Sequence, residues 1–294
     1  MNHIKLRSML LSFLNEDLGE GDLTSEAIFP ADETGAGYFI AKETGILAGL
    51  DIITETYQLL DPAITAELYY SDGDAVKPGD KIAKASGPIR HLLSGERIIL
   101  NLLQRLSGIA TLTHKCVEVL DNPTIRIADT RKTTPGLRML EKAAVRAGGG
   151  SNHRMGLYDA IMIKDNHIAF CGSIAEAVRR ARKQASHMTK IEVETESAEQ
   201  VLEAVKAGAD VIMFDNRTSE EIRTLIQLVP EHIATEASGG ITLDTLASYR
   251  NTGVDCISLG FLTHSPRALD ISFLEEKGKP GASGGKQIIG EVRI

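Results

Sequence analysis

The sequence predicts an α/β protein in which a compact α+β module precedes a closed or nearly closed α/β barrel. Three observations predict this fold class. Six short apolar runs recur in the second half of the chain, and each ends in a polar residue. Amphipathic helical segments separate the runs, and the spacing between runs is that of βα units. The first half instead shows short strand-like runs divided by turn signals.

The composition of the 294-residue chain excludes several classes of protein. An apolar content of 43% excludes a disordered chain, and no apolar run reaches the roughly 18 residues of a membrane span. Three cysteines without a CxxC pair indicate a reducing compartment, so we expect a cytoplasmic protein. With 32 basic against 40 acidic residues, the net charge of −8 argues against a general nucleic-acid binder. A small anionic ligand is compatible with this charge only if the cations are gathered in one place.

The first hundred residues predict one helix, a loop and a set of strands. Four apolar residues at helical spacing predict an amphipathic first helix and not a signal peptide; they are Leu6, Met9, Leu10 and Phe13. Two glycines and a proline predict a loop over residues 15–35. Strand-like runs and turn signals fill residues 35–89, interrupted by one predicted helix at about residues 50–60.

A long helix is predicted next. Ser94 is its expected N-cap, because a serine hydroxyl can accept from the free N–H groups of a first turn. An apolar stripe at helical spacing continues past Gly108 to about Leu120. We expect this helix to link two domains.

The expected domain boundaries follow from that helix. The N-terminal α+β domain takes residues 1–110 and is joined by the C-terminal segment 268–294, and the barrel domain takes residues 111–267. Residues 275–294 are rich in Lys and Gly, so we expect a flexible extension there.

From residue 124 onward the apolar runs predict barrel strands. Their polar ends are Asp129, Lys164, Glu194, Asp215, Ser238 and Gly260. The steps between these ends are 35, 30, 21, 23 and 22 residues, which is enough chain for a strand and a helix. The helices carry expected ends, with capping-box spacings at Ser197 and Thr218 and C′ glycines at Gly208 and Gly253. The alternative, an open doubly wound sheet, would usually show a G-x-G-x-x-G turn after its first strand, and none is present there.

The active site of an α/β barrel lies at the C-terminal ends of its strands, and these ends are sorted by charge. They supply the cations Arg131, Lys132, Arg154 and Lys164, the carboxylates Glu194 and Asp215, and the turn residues Ser238, Gly239, Gly240 and Gly260. Arginine pairs with carboxylates, carboxylates suit Mg²⁺ on a diphosphate, and glycine turns admit a phosphate. The predicted ligands are therefore a polycarboxylate, a metal-bound diphosphate and a phosphate monoester.

Each of these residues also has a purely structural interpretation. Glu194 and Asp215 could cap the helices that follow them, and Lys164 could be a salt-bridge partner only. His153 could be a structural histidine, and residues 148–150 could be no more than a flexible loop. Their common position on one predicted rim of an acidic protein favours ligand binding.

Several motifs together resemble the quinolinate phosphoribosyltransferase family, the decarboxylating nicotinate-nucleotide pyrophosphorylases. The resemblance runs from about residue 15 to about residue 273. Its motifs are EDLGEGDLT at 16–24, SGER at 94–97, LSGIAT at 106–111, DTRKTTPGLR at 129–138, GGGSNHR at 148–154, IKDNH at 163–167, IEVE at 191–194 and EASGGI at 236–241.

The resemblance implies an incomplete α/β barrel of about six βα units with an N-terminal, sandwich-like α+β domain. It also implies a homodimer in which Arg97 of one subunit enters the site of its neighbour. The implied reaction transfers phosphoribosyl from phosphoribosyl pyrophosphate to quinolinate with decarboxylation. Its products are nicotinate mononucleotide, pyrophosphate and CO₂, and its place is in NAD biosynthesis.

The resemblance also implies a role for each motif residue. The residues implied to bind quinolinate are Arg97, Thr130, Arg131, His153, Arg154 and Lys164. Those implied to surround phosphoribosyl pyrophosphate are Lys132, Glu194, Asp215, Ser238, Gly239, Gly240, Gly260 and His264. Glu194 and Asp215 are expected to bind Mg²⁺, directly or through water, and they form the expected catalytic group with Lys132 and Lys164.

Three other functions stay open at this point. A lysine at a barrel strand end suits a Schiff-base lyase, which would use Lys164. A related phosphoribosyltransferase-like protein of molybdate transport has a similar sequence pattern. Lys77, before Pro78 in a turn, resembles the modified lysine of a lipoyl or biotin carrier.

Overall fold

The computed structural model of the protein describes residues 1–276. The greater part of the predicted C-terminal extension, residues 277–294, lies outside the described residues. The described residues form a four-stranded antiparallel sheet, a six-stranded parallel sheet and a small two-stranded sheet. This mixed α/β architecture confirms the predicted fold class.

The four-stranded sheet is built from both ends of the described chain. The N-terminal strands are β1 Thr34–Ala41, β2 Gly45–Ile46, β3 Thr65–Leu68, β4 Ala75–Val76 and β5 Lys81–Pro88. The last strand, β12 Ile271–Glu275, pairs antiparallel with β1, which gives the order β12-β1-β5-β3. Strands β2 and β4 form the small sheet.

Three helices precede or interrupt these strands, and one prediction there was wrong. They are α1 His3–Leu18, α2 Leu23–Ile28 and α3 Asp51–Leu60. The loop predicted over residues 15–35 is partly helical, since α1 runs on to Leu18 and α2 follows at once. Asp22 explains α2, because its carboxylate accepts from the N–H of Ser25 at 3.0 Å and so caps the helix.

The long helix α4, Ile89–Leu120, is present but begins earlier than predicted. Ser94 is not its N-cap, because the helix starts directly after Pro88, whose fixed φ suits a helix start. The Ser94 hydroxyl instead donates to the Arg90 carbonyl at 2.8 Å, one turn back. Gly108 lies within the helix. A side chain does not fit there, because a Cβ would lie 2.1 Å from the Arg267 carbonyl oxygen. α4 packs against α3 and β2 on one side and against β6, Arg126–Ala128, on the other.

The parallel sheet has six strands, as predicted. After β6 come β7 Ile161–Ile163, β8 Ile191–Thr195, β9 Val211–Asp215, β10 Ala234–Ser238 and β11 Cys256–Ser258. Their order is β6-β11-β10-β9-β8-β7, so the first strand lies beside the last. A doubly wound sheet would instead place its first strand in the middle. In residues 1–276 the strands β6 and β7 are not paired with each other.

Helices follow the barrel strands, with the caps that the sequence predicts. They are α5 Arg138–Ala147, α6 Asp165–Cys171, α7 Ile174–Gln184, α8 Ala198–Ala207, α9 Ser219–Leu225, α10 Leu243–Leu246 and α11 Phe261–His264, with 3₁₀ turns at Ile226–Leu228 and Ala247–Asn251. Ser197 caps α8, Thr218 caps α9 in a capping box, and Gly208 ends α8 with a left-handed backbone. Within residues 1–276, none of the helices combines the length and apolarity that crossing a membrane requires.

Candidate active site

A cavity of about 600 Å³ lies at the C-terminal ends of the barrel strands. It brings together eleven of the predicted site residues, namely Thr130, Arg131, Lys132, His153, Arg154, Lys164, Glu194, Asp215, Ser238, Gly239 and Gly240. Five further residues line it, and the sequence did not point to them: Met162, Asp165, Met213, Asn216 and Ser258. Of the predicted residues, Arg97, Gly260 and His264 do not line the cavity.

The two carboxylates on the cavity wall are not helix caps. The helix after Glu194 is capped by the Ser197 hydroxyl, which accepts from the Gln200 N–H at 3.3 Å. The helix after Asp215 is capped by Thr218. Because Ser197 and Thr218 already bond the free N–H groups of these helices, Glu194 and Asp215 are not needed as helix caps.

Glu194 forms an ion pair with Lys164 inside the cavity wall. Burial raises the pKa of Glu194 above its usual value, although the Lys164 ammonium opposes the rise and the charge of Asp215 adds to it. The Lys164 side chain is 43% exposed, so it can also reach a ligand. An ammonium held in an ion pair is not a nucleophile, which disfavours the Schiff-base interpretation.

Two guanidinium groups line the other end of the cavity. Arg154 donates from Nη1 to the Ala160 carbonyl at 3.0 Å, and burial together with the neighbouring Arg131 charge lowers its pKa. The buried Nε of Arg131 has no hydrogen-bond partner among residues 1–276. Two cations that repel each other, with unpaired donors in the described part of the chain, favour an anionic ligand.

A buried ion pair, Asp129–Lys142, lies behind this end of the cavity, and both side chains are 0% exposed. Asp129 also accepts from the Asn152 amide at 2.5 Å and from the His153 N–H at 2.9 Å. Burial raises the pKa of Asp129 and lowers that of Lys142 in spite of their pairing. The pair therefore fixes the loop that carries His153 and Arg154 at some electrostatic cost.

His153 faces the cavity but is also held from behind. Its Nε2 lies 3.1 Å from Glu192 Oε2 and 3.6 Å from Glu236 Oε1. Burial alone would lower the pKa of His153, but the carboxylates outweigh it and raise the pKa. Burial and the Glu192 charge raise the pKa of Glu236 to about 7. Sequence analysis missed Glu192 and Glu236, although residues i and i+2 of a strand share a face, which puts Glu192 on the face of Glu194 and Glu236 on the face of Ser238.

The glycine turn after β10 has a left-handed backbone that favours glycine. Gly239 and Gly240 have φ of +78° and +66°, and a Cβ on Gly239 would lie 2.4 Å from Asn216 Oδ1. Beside the turn, Ser258 and Ser238 share a hydroxyl hydrogen bond of 2.9 Å. The turn does not open a helix directly. The next helix, α10, has four residues and is capped by Thr242.

Gly260 and His264 lie next to Lys132, which lines the cavity. A Cβ on Gly260 would lie 2.9 Å from Lys132 Cδ and 3.4 Å from the His264 ring. Thr263 donates its hydroxyl to the Lys132 carbonyl at 2.8 Å. The segment after β11 therefore packs against the backbone and the stem of Lys132.

Arg97 lies on the surface of α4, with 62% of its side chain exposed. Its guanidinium comes no closer than 4.0 Å to Glu96 Oε1. Arg97 does not line the cavity of its own chain.

Comparison with known proteins gives a consistent result. Residues 22–107 match the family model for the quinolinate phosphoribosyl transferase N-terminal domain, and residues 109–274 match that for the C-terminal domain. The chain is 58% identical over 272 residues to a probable nicotinate-nucleotide pyrophosphorylase [carboxylating] of Bacillus subtilis, covering 92% of this chain and 94% of that protein. It is 40% identical to quinolinate phosphoribosyltransferase [decarboxylating] 2b of Nicotiana tabacum, covering 91% and 81%.

Solved structures agree. The crystal structure of NadC from Streptococcus pyogenes superposes with a TM-score of 0.90 at 41% identity, covering 94% of this chain and 99% of that one. The nicotinate-nucleotide pyrophosphorylase from Francisella tularensis superposes with a TM-score of 0.89 at 37% identity, covering 94% and 98%.

Proposed function

The chain belongs to the quinolinate phosphoribosyltransferase family, and from that premise we propose how its cavity divides the work of the reaction. The protein is a decarboxylating pentosyltransferase of NAD biosynthesis. It joins quinolinate to the phosphoribosyl group of phosphoribosyl pyrophosphate and releases pyrophosphate and CO₂. One observation supports the division: a protein of net charge −8 brings four cations, Arg131, Lys132, Arg154 and Lys164, together with the carboxylates Glu194 and Asp215 around one cavity.

Quinolinate binds at the arginine end. Arg131 and Arg154 face its two carboxylates, with Lys164, Thr130 and His153 around them. Guanidinium groups pair bidentately with carboxylates, so they also set the ring nitrogen in line with the ribose carbon that it attacks. The Lys164–Glu194 pair lies at the boundary between the two substrates.

Phosphoribosyl pyrophosphate binds at the other end. The free backbone around Gly239 and Gly240 takes its 5′-phosphate, with Ser238 beside it. Lys132, flanked by Gly260 and His264, stabilises the negative charge that develops on the pyrophosphate leaving group. We expect Glu194 and Asp215, which line the same cavity, to stabilise the positive charge that develops on the ribose.

Mg²⁺ fits the same two carboxylates. Glu194 and Asp215 both face the cavity, and the charge of Asp215 helps to raise the pKa of Glu194, so a cation there would relieve their repulsion. When bound, Mg²⁺ neutralises charge on the pyrophosphate. Glu194 and Asp215 would hold it directly or through water.

Loss of CO₂ asks little of the protein. Once the ring nitrogen is bonded to ribose, its positive charge stabilises the electron pair that departing CO₂ leaves on the adjacent carbon, and that carbon then takes a proton from water to give nicotinate mononucleotide. The remaining carboxylate stays paired with the arginine end, which holds the mononucleotide in place until release.

The decisive experiment is incubation with quinolinate, phosphoribosyl pyrophosphate and Mg²⁺. We expect stoichiometric CO₂ and nicotinate mononucleotide, and a strong loss of both in Arg131→Ala. Absence of CO₂ with quinolinate, from a folded protein, would exclude this substrate. The names of the relatives favour this reaction over the molybdate-transport alternative, and borohydride trapping tests the Schiff-base alternative directly.

The functional unit that we propose is a cytoplasmic homodimer in which Arg97 completes the neighbour's quinolinate site. The exposure of Arg97 outside its own cavity supports this. Mixing Arg97→Ala protein with Arg154→Ala protein should restore part of the activity, because one site of each hybrid dimer is then intact. No recovery after demonstrated subunit exchange would contradict a shared site.

A further inference from the structure

Two buried glutamates have no part in the proposed chemistry. Glu192 on β8 and Glu236 on β10 have side chains that are 8% and 7% exposed, and neither lines the cavity. A carboxylate that leaves water is costly unless it is paired and hydrogen-bonded. One oxygen of each, Oε1, nevertheless has no hydrogen-bond partner among residues 1–276. These two buried carboxylates with unpaired oxygens lie close together, and one group interacts with both.

The contact that the two glutamates share is His153. Its Nε2 lies 3.1 Å from Glu192 Oε2 and 3.6 Å from Glu236 Oε1. Its Nδ1 accepts from the N–H of Arg154 at 2.7 Å. A proton on Nδ1 would face that N–H, so above the raised pKa of His153 the geometry corresponds to the neutral ring with its proton on Nε2. The ring therefore donates towards the carboxylates and accepts from the next residue.

The backbone of His153 is held as well. Its N–H donates to Asp129 Oδ1 at 2.9 Å, and its carbonyl accepts from Lys142 Nζ at 3.0 Å. Four polar groups of one residue are thus bonded to groups on or beside β6, α5, β8 and to the following peptide. The direction of the chain at Arg154 is fixed by these bonds.

We propose that Glu192 and Glu236 are positioning residues for quinolinate, which act through the His153 ring on the orientation of Arg154. This rests on the proposed function and deepens it. Arg154 has one further anchor, the bond from Nη1 to the Ala160 carbonyl at 3.0 Å. With both ends held, its remaining N–H groups meet a carboxylate at one fixed angle, as bidentate pairing requires. The shorter distance makes Glu192 the principal support.

The test compares two substitutions that remove the same charge. Glu192→Leu removes the acceptor of Nε2–H, so we expect the KM for quinolinate to rise at least tenfold. Glu192→Gln keeps an acceptor oxygen, so its KM should stay within threefold of the wild type or fall. If the glutamate acted only by its charge, both variants would bind the dianionic substrate more tightly, and that result would overturn the proposal.

Two further measurements control the comparison. The KM for phosphoribosyl pyrophosphate should change less than twofold in both variants, because that substrate binds at the other end of the cavity. Thr235→Val, on the same strand as Glu236, loses a 2.9 Å bond to Asp255 that lies away from the cavity. It should lower the melting temperature and leave the KM for quinolinate unchanged. A rise in that KM would mean that the Glu192→Leu effect reflects a general loss of stability and not a positioning role.

Nitrogen-15 NMR of histidine-labelled protein tests the geometry without turnover. At a pH well above the raised pKa of His153, we expect the His153 signal of the wild type to report the neutral form protonated at Nε2, and Glu192→Leu to lose that preference. A proton on Nδ1 in the wild type would overturn the proposal even if Glu192→Leu failed to fold. The proposed function fails separately, if the wild type does not use quinolinate at all.

Discussion

The barrel holds two lysine–carboxylate pairs at the ends of its first strands, and they differ mainly in burial. Asp129 and Lys142 are both 0% exposed, whereas Lys164 and Glu194 are 43% and 13% exposed. The first pair lies behind the cavity wall and the second lies on it. The same two chemical groups therefore do different work according to their surroundings.

The difference lies in what else each pair contacts. Asp129 receives further bonds from Asn152 and from the His153 backbone, so the buried pair connects β6 and α5 to the loop of the quinolinate end. Glu194 lies beside Asp215 and faces the space where ribose and Mg²⁺ are expected. The buried pair supports the shape of the site, and the exposed pair is available to substrates.

The largest expected difference between the Asp129–Lys142 and Lys164–Glu194 pairs is in the free energy of unfolding. Lys142→Met leaves the Asp129 carboxylate buried without its counter-charge, which typically costs about 3–5 kcal/mol. We expect denaturant unfolding to show a loss of that size, with the loop at His153 loosened. A loss below about 1 kcal/mol, the range of an exposed pair, would mean that burial does not distinguish the two pairs.

The exposed pair should show the opposite pattern. Lys164→Met removes a half-exposed cation, so the free energy of unfolding should change by no more than about 1 kcal/mol. Activity should fall much further, since losing a cation that faces a substrate carboxylate costs about 2–5 kcal/mol. That range corresponds to roughly 30- to 4000-fold in kcat/KM for quinolinate. Steady-state kinetics and unfolding curves on the same sample measure both. Equal losses of stability and activity would contradict a role in binding.

Sequence patterns predicted the strands and helices better than the contacts that hold the site residues in place. The six strands, the caps at Ser197 and Thr218 and the cations on one rim all follow from local periodicity and spacing. The start of α4 was misplaced because Ser94 is a plausible N-cap, while Pro88 had already set the helix start. Local signals compete, and only the observed backbone bonds show which one applies.

The supporting contacts could not be predicted because they join residues far apart in sequence. Nothing near Asp129 indicates that Lys142, 13 residues on, is its partner inside the protein. The positions of Glu192 and Glu236 could be predicted only in part. Strand alternation places them inward, but their meeting at His153 depends on the order of the strands. Which carboxylate supports the fold and which meets a ligand is decided by these long-range contacts.

The pH dependence of stability extends the comparison to the buried glutamates. The pKa of Glu236 is raised from 4.5 to about 7, so the folded protein keeps a proton that the unfolded chain loses between these values. Stability is therefore favoured below about pH 4.5 and is lost as the pH rises through 7. The shift corresponds to about 3 kcal/mol. Glu236→Gln, which cannot ionise, should be more stable than the wild type at pH 8 by up to that amount.

The same difference should vanish at about pH 3, well below 4.5, where Glu236 is protonated in both states. Denaturant unfolding at the two pH values measures it. Thr235→Val provides the control, since a neutral substitution on the same strand should shift stability equally at both. An equal advantage of Glu236→Gln at both pH values would show that the Glu236 carboxylate is not strained by burial.

The smallest effect tests the division of labour at the end of β9. Thr218→Ala removes the N-cap of α9 and should cost about 1 kcal/mol of stability, with turnover unchanged. Asp215→Asn, three residues earlier, should do the reverse and weaken Mg²⁺-dependent binding of phosphoribosyl pyrophosphate. Because the cap is provided by Thr218 with Glu221, nothing in the helix requires the Asp215 charge. If Asp215→Asn instead lowered stability as Thr218→Ala does and left binding intact, Asp215 would belong with the scaffold, beside Asp129.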